Sequence, residues 1–284
     1  TGATLANMLC GVLAILCCLF TIRGSFAGDR YQITTPTIID FFPSYIAVGG
    51  YLIMLAMVFD ALDGRLARLT RRTSEFGSQL DSIADVVSFG VAPALLFVTI
   101  LMRPFEETLV TTRVQWQLGL AAALTYASCA AVRLARFNAE NTRGESAQRQ
   151  FSGLPTPGAA AAFVGFILLY ETMLRGGQVS KPGFLMAACI WIMAVSAVGL
   201  GYLMLSRLDY AHVFNLYVRS RRPPSHLIAI IMAVFVLLYV YPSATVFVVS
   251  WLYVLSGFLA SYIFKPKPVT HVEPVSEVQH ESNY

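Results

Sequence analysis

Four closely spaced aspartates are the residues of this sequence whose types and spacing most directly predict chemistry. Asp60 and Asp63 are three residues apart, and Asp81 and Asp85 are four residues apart. Each pair would therefore lie on one face of a helix. Carboxylates that converge from two helices repel one another, which disfavours their charged forms. We expect divalent cations to resolve this conflict, and ligands that are all carboxylates favour Mg²⁺ or Mn²⁺ over zinc or copper.

A pair of such ions would suit phosphoryl chemistry, because two metals stabilise both the attacking and the leaving oxygen of a displacement. Two other interpretations of the same residues stay open at this point. In one, the aspartates form the cation site of a transporter, although such sites usually lie near the middle of the bilayer on broken helices. In the other, they are structural and pair with Arg65, Arg68, Arg71 and Arg72.

The elements that must position these aspartates are membrane-spanning helices. Of the 284 residues, 56% are hydrophobic and 13% are charged, whereas about 25% of a typical soluble domain is charged. A span needs about 20 mostly apolar residues, and in lipid its backbone must satisfy its own hydrogen bonds, as a helix does. We therefore predict an all-α integral membrane protein with about eight transmembrane helices. The predicted spans lie near 4–22, 44–68, 82–102, 115–137, 155–174, 184–206, 226–241 and 243–264.

The basic residues predict how these helices are oriented. Fourteen of the 20 Lys and Arg residues lie in the connections after the second, fourth and sixth spans and in the C-terminal tail. Cytoplasmic loops carry an excess of such residues. We therefore expect a multi-pass protein of the cell (inner) membrane with both termini and the four aspartates on the cytoplasmic side. Gly77 falls in the predicted connection between the second and third spans, where the chain must turn back.

The stretch from Asp60 to Asp85 also resembles a family signature. The CDP-alcohol phosphotransferases carry the pattern D-x2-D-G-x2-A-R-x8-G-x3-D-x3-D, and this sequence matches each of its fixed positions. Eight fixed residues match by accident at a given start with a probability on the order of 10⁻⁹ or less. The resemblance covers the first six predicted spans, and the last two lie outside the six-helix core of the family. The matching residues are Asp60, Asp63, Gly64, Ala67, Arg68, Gly77, Asp81 and Asp85.

The resemblance implies an enzyme with two ions of Mg²⁺ or Mn²⁺ and a CDP-linked lipid donor. Asp60, Asp63 and Asp81 would bind one ion, and Asp60, Asp81 and Asp85 would bind the second. Asp85 would also be catalytic, because it would take the proton from the attacking alcohol as CMP is released. The implied donor-binding residues are Thr4, Asn7, Asp63, Gly64, Ala67, Arg68 and Ser74.

Stretches beyond the aspartates bear on the acceptor alcohol. The segments DVVSFGVAPA, RLARFN and GLPTPGAA are similar to those of the phosphatidylserine synthases within this family, which implies CDP-diacylglycerol and L-serine as substrates. Arg133 and Arg136 are three residues apart on one predicted helix, and a guanidinium binds a carboxylate or phosphate in a bidentate manner. We expect these two arginines to bind the acceptor, although lipid headgroups are an alternative partner for them. Glycerol phosphate or inositol phosphate as acceptor also stays open, as does a non-catalytic cation transporter or lipid-binding protein.

The sequence divides into four predicted parts. Residues 1–206 form a six-helix core, 207–225 a basic cytoplasmic connection and 226–264 a C-terminal pair of helices. Residues 265–284 form a polar tail that we expect to be disordered. The lipid bilayer is a predicted partner and nucleic acid is not, while the family resemblance implies a homodimer.

Overall fold

The structure is a computed structural model that describes residues 2–27, 44–70, 75–102, 113–141, 153–175, 184–206, 208 and 224–263. Over these ranges the chain is helical apart from short turns, and they contain no strand. The helices are α1 (Gly2–Ala27), α2 (Tyr45–Thr70), α3 (Glu75–Asp85), a π-helical turn (Val86–Val91), α4 (Ala92–Met102), α5 (Arg113–Asn141), α6 (Thr156–Arg175), α7 (Phe184–Leu205), α8 (Pro224–Val240) and α9 (Pro242–Ile263).

The prediction of an all-α membrane protein is confirmed. Within the described residues, six helical segments are long and apolar enough to cross a membrane, and they coincide with the first six predicted spans. Helices α8 and α9 cover the last two predicted spans and meet at Tyr241, and Pro242–Gly257 is a shorter apolar segment. Most of the basic connection and the whole C-terminal tail lie outside the described residues. The six segments are Gly2–Arg23, Tyr45–Leu66, Phe76–Met102, Arg113–Ala139, Thr156–Met173 and Ala187–Leu205.

The predicted position of Gly77 in a turn is wrong. Helix α3 begins at Glu75, well before the predicted start near residue 82, and Gly77 lies inside this helix. The first residues of α3 include polar side chains such as Ser78 and Gln79. A hydropathy pattern detects only the part of a helix that lies in the hydrocarbon, so it missed this polar extension.

A π-helical turn joins α3 to α4 within one continuous helical segment. The amide of Ala92 donates to the carbonyl of Val87, five residues earlier. Pro93 follows directly, and a proline both lacks an amide hydrogen and clashes with the carbonyl four residues before it. A wider π turn is one way in which a helix accommodates such a residue.

Helices α1 and α2 pack closely and antiparallel. A Cβ atom on Gly49 of α2 would lie 3.3 Å from the Ala14 carbonyl oxygen and 3.5 Å from Cβ of Cys17. At the other end of the pair, the rings of Phe20 and Tyr45 have centroids 6.0 Å apart. Small residues permit this close approach of backbones in a membrane. The packing brings the start of α1 beside the part of α2 that carries the first two aspartates.

Buried aromatic rings join α4, α5 and α6 behind this end of the protein. Phe97, Tyr126 and Phe163 are fully buried. The ring of Phe163 has centroid distances of 5.6 Å to Phe97 and 5.0 Å to Tyr126, which are favourable separations for tilted aromatic pairs. The rings fix the relative positions of these three helices. The π turn leads directly into α4, and Arg133 lies on α5.

Candidate active site

Three of the four predicted aspartates form a compact group. One carboxylate oxygen from each of Asp60, Asp81 and Asp85 lies within 4.8 Å of the other two. Asp60 and Asp81 are half-buried, and Asp85 is 9% exposed. Carboxylates this close repel one another strongly where water is partly excluded. The group therefore has the composition that a hard divalent cation requires.

Two buried oxygen atoms beside this group have no hydrogen-bond partner among the described residues. They are Oδ1 of Asp81 and Oδ1 of Asn7. Buried polar atoms are normally satisfied, so each exception needs an explanation. Oxygen ligands are those that Mg²⁺ and Mn²⁺ prefer, and an ion or a substrate group at this place would satisfy both atoms. The residues present thus fit the divalent metal that the sequence predicts.

Asn7 holds the carboxylate of Asp85. Its Nδ2 atom donates to Oδ1 of Asp85 at 3.0 Å, and Asn7 is fully buried. The hydroxyl of Ser88 donates in turn to the Asn7 carbonyl at 3.0 Å. A Cβ atom on Gly11 would lie 2.4 Å from Oγ of Ser88, so only glycine permits this contact between α1 and the π turn. These contacts hold α1 against Asp85 and the π turn that follows it.

Asp63 has a different environment from the other three aspartates. The buried hydroxyl of Thr4 donates a hydrogen bond to its Oδ2 atom. Asp63 also interacts electrostatically with Asp60 and Asp81. The structure thus brings both predicted residues of α1, Thr4 and Asn7, to the aspartates of α2 and α3.

The π turn that follows Asp85 is held from a neighbouring helix. Pro93 cannot donate to the carbonyl of Phe89, four residues earlier. The fully buried hydroxyl of Tyr126 on α5 donates to that carbonyl at 2.9 Å. π turns are frequent at functional sites, and this one immediately follows the residue predicted to act as the base.

The predicted donor side is only partly described. Among the described residues, Gly64 of α2 has open space beside it, since a Cβ atom there would have no atom of those residues within 4 Å. Ala67 and Arg68 lie on the described backbone of α2, but their side chains are outside the described part, and Ser74 is outside it altogether. The prediction for these three residues therefore stays a prediction.

The two predicted acceptor arginines have different positions. Arg133 is half-buried, and its guanidinium donates to the Thr156 hydroxyl at 2.6 Å. It also interacts electrostatically with Asp85 and with Tyr253 of α9. Arg136 is exposed one turn further along α5. Arg133 thus lies near enough to Asp85 to attract its carboxylate, and Arg136 lies closer to the surface.

A turn before α6 fixes the position of Thr156. Gly153 has φ of +105°, a region that residues with a side chain rarely adopt, and a Cβ atom there would lie 2.8 Å from the Met204 carbonyl oxygen. The amides of Gly153 and Leu154 donate to the carbonyls of Leu208 and Leu203 at 2.7 and 3.1 Å. The GLPTPG segment is therefore attached to the end of α7 and to the residues just after it, and it presents Thr156 to Arg133.

Several residues that touch these groups were not predicted. Their contacts are the hydrogen bonds of Tyr126 and Thr156, the contact of Ser88 with α1, and the interaction of Tyr253 with Arg133. A further pair joins α3 to α5, because Ser82 and the Asn138 amide are hydrogen-bonded at 2.9 to 3.1 Å. Polar residues inside apolar helices were the available signal, but the sequence does not state which of them face the site.

Known proteins resemble much of this chain. Several curated proteins that are similar to it carry the name CDP-diacylglycerol–serine O-phosphatidyltransferase. The protein of Methanocaldococcus jannaschii is 39% identical over 159 residues, which are 56% of this chain and 61% of the relative. That of Mycobacterium leprae is 34% identical over 185 residues, which are 64% of this chain and 53% of the relative. That of Saccharomyces cerevisiae is 33% identical over 170 residues, which are 57% of this chain and 50% of the relative.

These matches span between half and about three fifths of the length of each relative. A family profile covers more of this chain. Residues 2–199, which contain all four aspartates and both arginines, match the CDP-alcohol phosphatidyltransferase profile. Since the profile covers well over half of the sequence and its aspartates converge in the structure, the chain belongs to the CDP-alcohol phosphatidyltransferase family.

Proposed function

We propose that this chain catalyses the metal-dependent transfer of a phosphatidyl group from CDP-diacylglycerol to L-serine, which gives phosphatidylserine and CMP. The observation that carries the proposal is the group of Asp60, Asp81 and Asp85, whose carboxylate oxygens lie within 4.8 Å of one another. This group lies within the residues that match the family profile. The relatives described above are named for this reaction.

In the proposed reaction, the serine hydroxyl oxygen forms a bond to the lipid-side phosphorus of the donor. The bond from that phosphorus to the oxygen of the CMP group breaks, and CMP leaves with the electron pair. Asp85 takes the proton of the serine hydroxyl. Two ions of Mg²⁺ or Mn²⁺ held by Asp60, Asp63, Asp81 and Asp85 would neutralise the pyrophosphate and stabilise the leaving group.

The residues of α1 and α2 would bind the CDP part of the donor. The open space beside Gly64 leaves room for a substrate group to approach the helix backbone. Thr4 and Asn7 are buried beside the aspartates, where they orient Asp63 and Asp85 through hydrogen bonds. The proposed donor-binding residues are Thr4, Asn7, Asp63, Gly64, Ala67, Arg68 and Ser74.

Arg133 and Arg136 would bind the acceptor. Arg133 is half-buried and interacts with Asp85, so an acceptor carboxylate paired with Arg133 would place a nearby hydroxyl close to the proposed base. Arg136, which is exposed, would meet the acceptor as it enters. A phosphorylated alcohol such as glycerol phosphate or inositol phosphate could use the same two cations, and the acceptor therefore needs a direct test.

The proposal places the reaction on the cytoplasmic side of the cell (inner) membrane. The excess of basic residues in three connections and the tail supports this orientation. We also propose that the protein acts as a homodimer, as the family resemblance implies.

An acceptor screen with purified protein in detergent tests the proposed function. CDP-diacylglycerol and Mn²⁺ or Mg²⁺ are supplied with L-serine, glycerol 3-phosphate or inositol phosphate in separate reactions, and both CMP and the lipid product are measured. We expect CMP release with L-serine and a product with the mass of phosphatidylserine. CMP release with a phosphorylated alcohol but not with L-serine would show that the phosphorylated alcohol is the acceptor. No release with any acceptor would favour a non-catalytic membrane protein.

A further inference from the structure

Helix α9 lies outside the residues that match the family profile, yet it is packed against a helix of the active site. The profile ends at residue 199, and α9 runs antiparallel to α6. The indole Nε1 of Trp251 donates to the Ala162 carbonyl at 3.1 Å. A Cβ atom on Gly165 would lie only 3.0 Å from Cα of Phe247. These contacts fix the position of α9 along α6.

The same packing brings Tyr253 to the start of α6. A Cβ atom on Gly158 would lie 2.7 Å from Cε1 of Tyr253, so the ring lies directly on this glycine. Gly158 is two residues after Thr156, which accepts the hydrogen bond from Arg133 at 2.6 Å. Tyr253 also lies near Arg133, so α9 borders the place where Thr156 and Arg133 meet.

Arg133 therefore has three polar neighbours. Thr156 accepts a hydrogen bond from it, the Tyr253 side chain lies near it, and the Asp85 carboxylate attracts it from the aspartate group. A half-buried cation needs such partners to stay in one position. Since the guanidinium has five N–H donors, it can keep the Thr156 bond and still bind a carboxylate of a substrate.

We propose that Tyr253 is a positioning residue for the acceptor site, and that together with Thr156 it orients Arg133 towards the anionic group of the acceptor. The inference rests on the proposed function, because it assumes that Arg133 binds the acceptor. It extends the active site to a helix beyond the family-matched residues. The chemistry at phosphorus stays with the aspartates, so the effect of Tyr253 falls on acceptor binding and not on the donor.

The test compares the kinetic constants of Tyr253→Phe with those of the wild-type enzyme. Loss of the hydroxyl should raise KM for L-serine about tenfold, because Arg133 would lose one of the polar neighbours that orient it. The turnover number and KM for CDP-diacylglycerol should stay unchanged. Tyr202→Phe removes a hydroxyl from a side chain that is 72% exposed on α7, and this control should leave all three constants unchanged.

Variants of Thr156 provide a second readout. Thr156→Val should raise KM for L-serine as Tyr253→Phe does, Thr156→Ser should restore it, and the double variant should show less than the product of the two effects, since both act through Arg133. Thermal melting measures acceptor binding without catalysis. Saturating L-serine should raise the Tm of the wild-type protein and raise the Tm of Tyr253→Phe by less.

The outcomes separate this inference from the proposed function. If the wild-type protein uses L-serine and Tyr253→Phe has an unchanged KM for it, the role of Tyr253 is wrong and the proposed function stands. A joint change in turnover, donor KM and Tm without ligand would show a merely structural role, which also overturns the inference. If the wild-type protein uses another anionic acceptor, the serine assignment fails. The role of Tyr253 is then decided by whether Tyr253→Phe raises KM for that acceptor relative to the wild-type protein. A wild-type protein without transfer activity would overturn both.

Discussion

Asp85 is held from two directions before any substrate binds. The Asn7 amide donates to its carboxylate, and the π turn begins at the next residue. Proton transfer requires a base within hydrogen-bond reach of the proton that it takes, so a fixed carboxylate is what the proposed reaction needs. The Asn7 side chain leaves its own Oδ1 atom available to an ion or a substrate.

Asn7→Ala should lower the turnover number about 10- to 100-fold, as expected when a residue that orients a metal-binding carboxylate is removed. The variant should also need more Mn²⁺ for half-maximal activity. Leu5→Ala is the matched control on the same helix, because Leu5 is 55% exposed whereas Asn7 is fully buried. Equal activity of Asn7→Ala and Leu5→Ala would show that Asp85 does not depend on this hydrogen bond.

Gly64→Ala should fold normally and bind the donor poorly. Its new methyl group would meet no atom of the described residues within 4 Å, so a loss of stability is not expected. KM for CDP-diacylglycerol should rise if the donor approaches the backbone there. A Cβ atom on Gly199 of α7 would likewise meet no atom of the described residues within 4 Å, and Gly199→Ala should leave this KM unchanged. An unchanged donor KM in both variants would remove Gly64 from the binding site.

The sequence predicted the aspartate group better than its surroundings. Two pairs at helical spacing and the fixed residues between them indicated which side chains converge. The contact of Ser88 with α1 and the orientation of Arg133 could not be predicted in the same way. They depend on how the helices pack against one another. The distance of 2.4 Å between a Cβ atom built on Gly11 and Oγ of Ser88, for example, is set by the packing of α1 against the π turn.

At the level of elements, the π turn between α3 and α4 connects Asp85 to α5. Its six residues are too few to change the apolar pattern, so periodicity predicts one regular helix. Pro93 was the available signal, because a proline within a helix needs a local distortion. The structure adds the partner, since the hydroxyl of Tyr126 satisfies the Phe89 carbonyl.

Tyr126→Phe should destabilise the protein by about 1–3 kcal/mol, because the buried Phe89 carbonyl would lose its Tyr126 donor. This corresponds to a fall in Tm of several degrees, measured by thermal melting in detergent. Turnover should also fall, since the π turn sets the direction of Asp85. Tyr202→Phe again serves as control, because Tyr202 is exposed. If both variants melt alike, the Tyr126 hydroxyl does not support the turn.

Across the whole molecule, the all-α class and the first six spans were predictable, while the arrangement of the helices was not. Apolar runs and one consistent charge bias indicated a multi-pass protein. The packing of α9 on α6 was not indicated, because both helices are apolar and small residues such as Gly158 and Gly165 reveal their partners only in the structure.

The proposed orientation predicts which ends of α5 are accessible from outside the cell. Cysteines introduced at Arg113 and Ala139 lie at opposite ends of this helix, and both positions are exposed. In intact cells, a membrane-impermeant maleimide should label Arg113→Cys and not Ala139→Cys, and permeabilisation should make the latter reactive. The reverse pattern would place the aspartates on the outer side. The unmodified protein measures the background from its five native cysteines.

The role of the aspartate group is tested most directly by the rate of CMP release from CDP-diacylglycerol as Mn²⁺ is removed and restored. With L-serine present, release should stop on chelation and return with added Mn²⁺ or Mg²⁺. Asp85→Asn should lower the turnover number about 10²- to 10⁴-fold, as expected for loss of a general base, while Ile83→Ala, which changes an exposed residue of α3, should stay active. Release that persists without metal, or an Asp85→Asn variant as fast as the wild-type protein, would contradict a metal-dependent transfer centred on Asp60, Asp81 and Asp85.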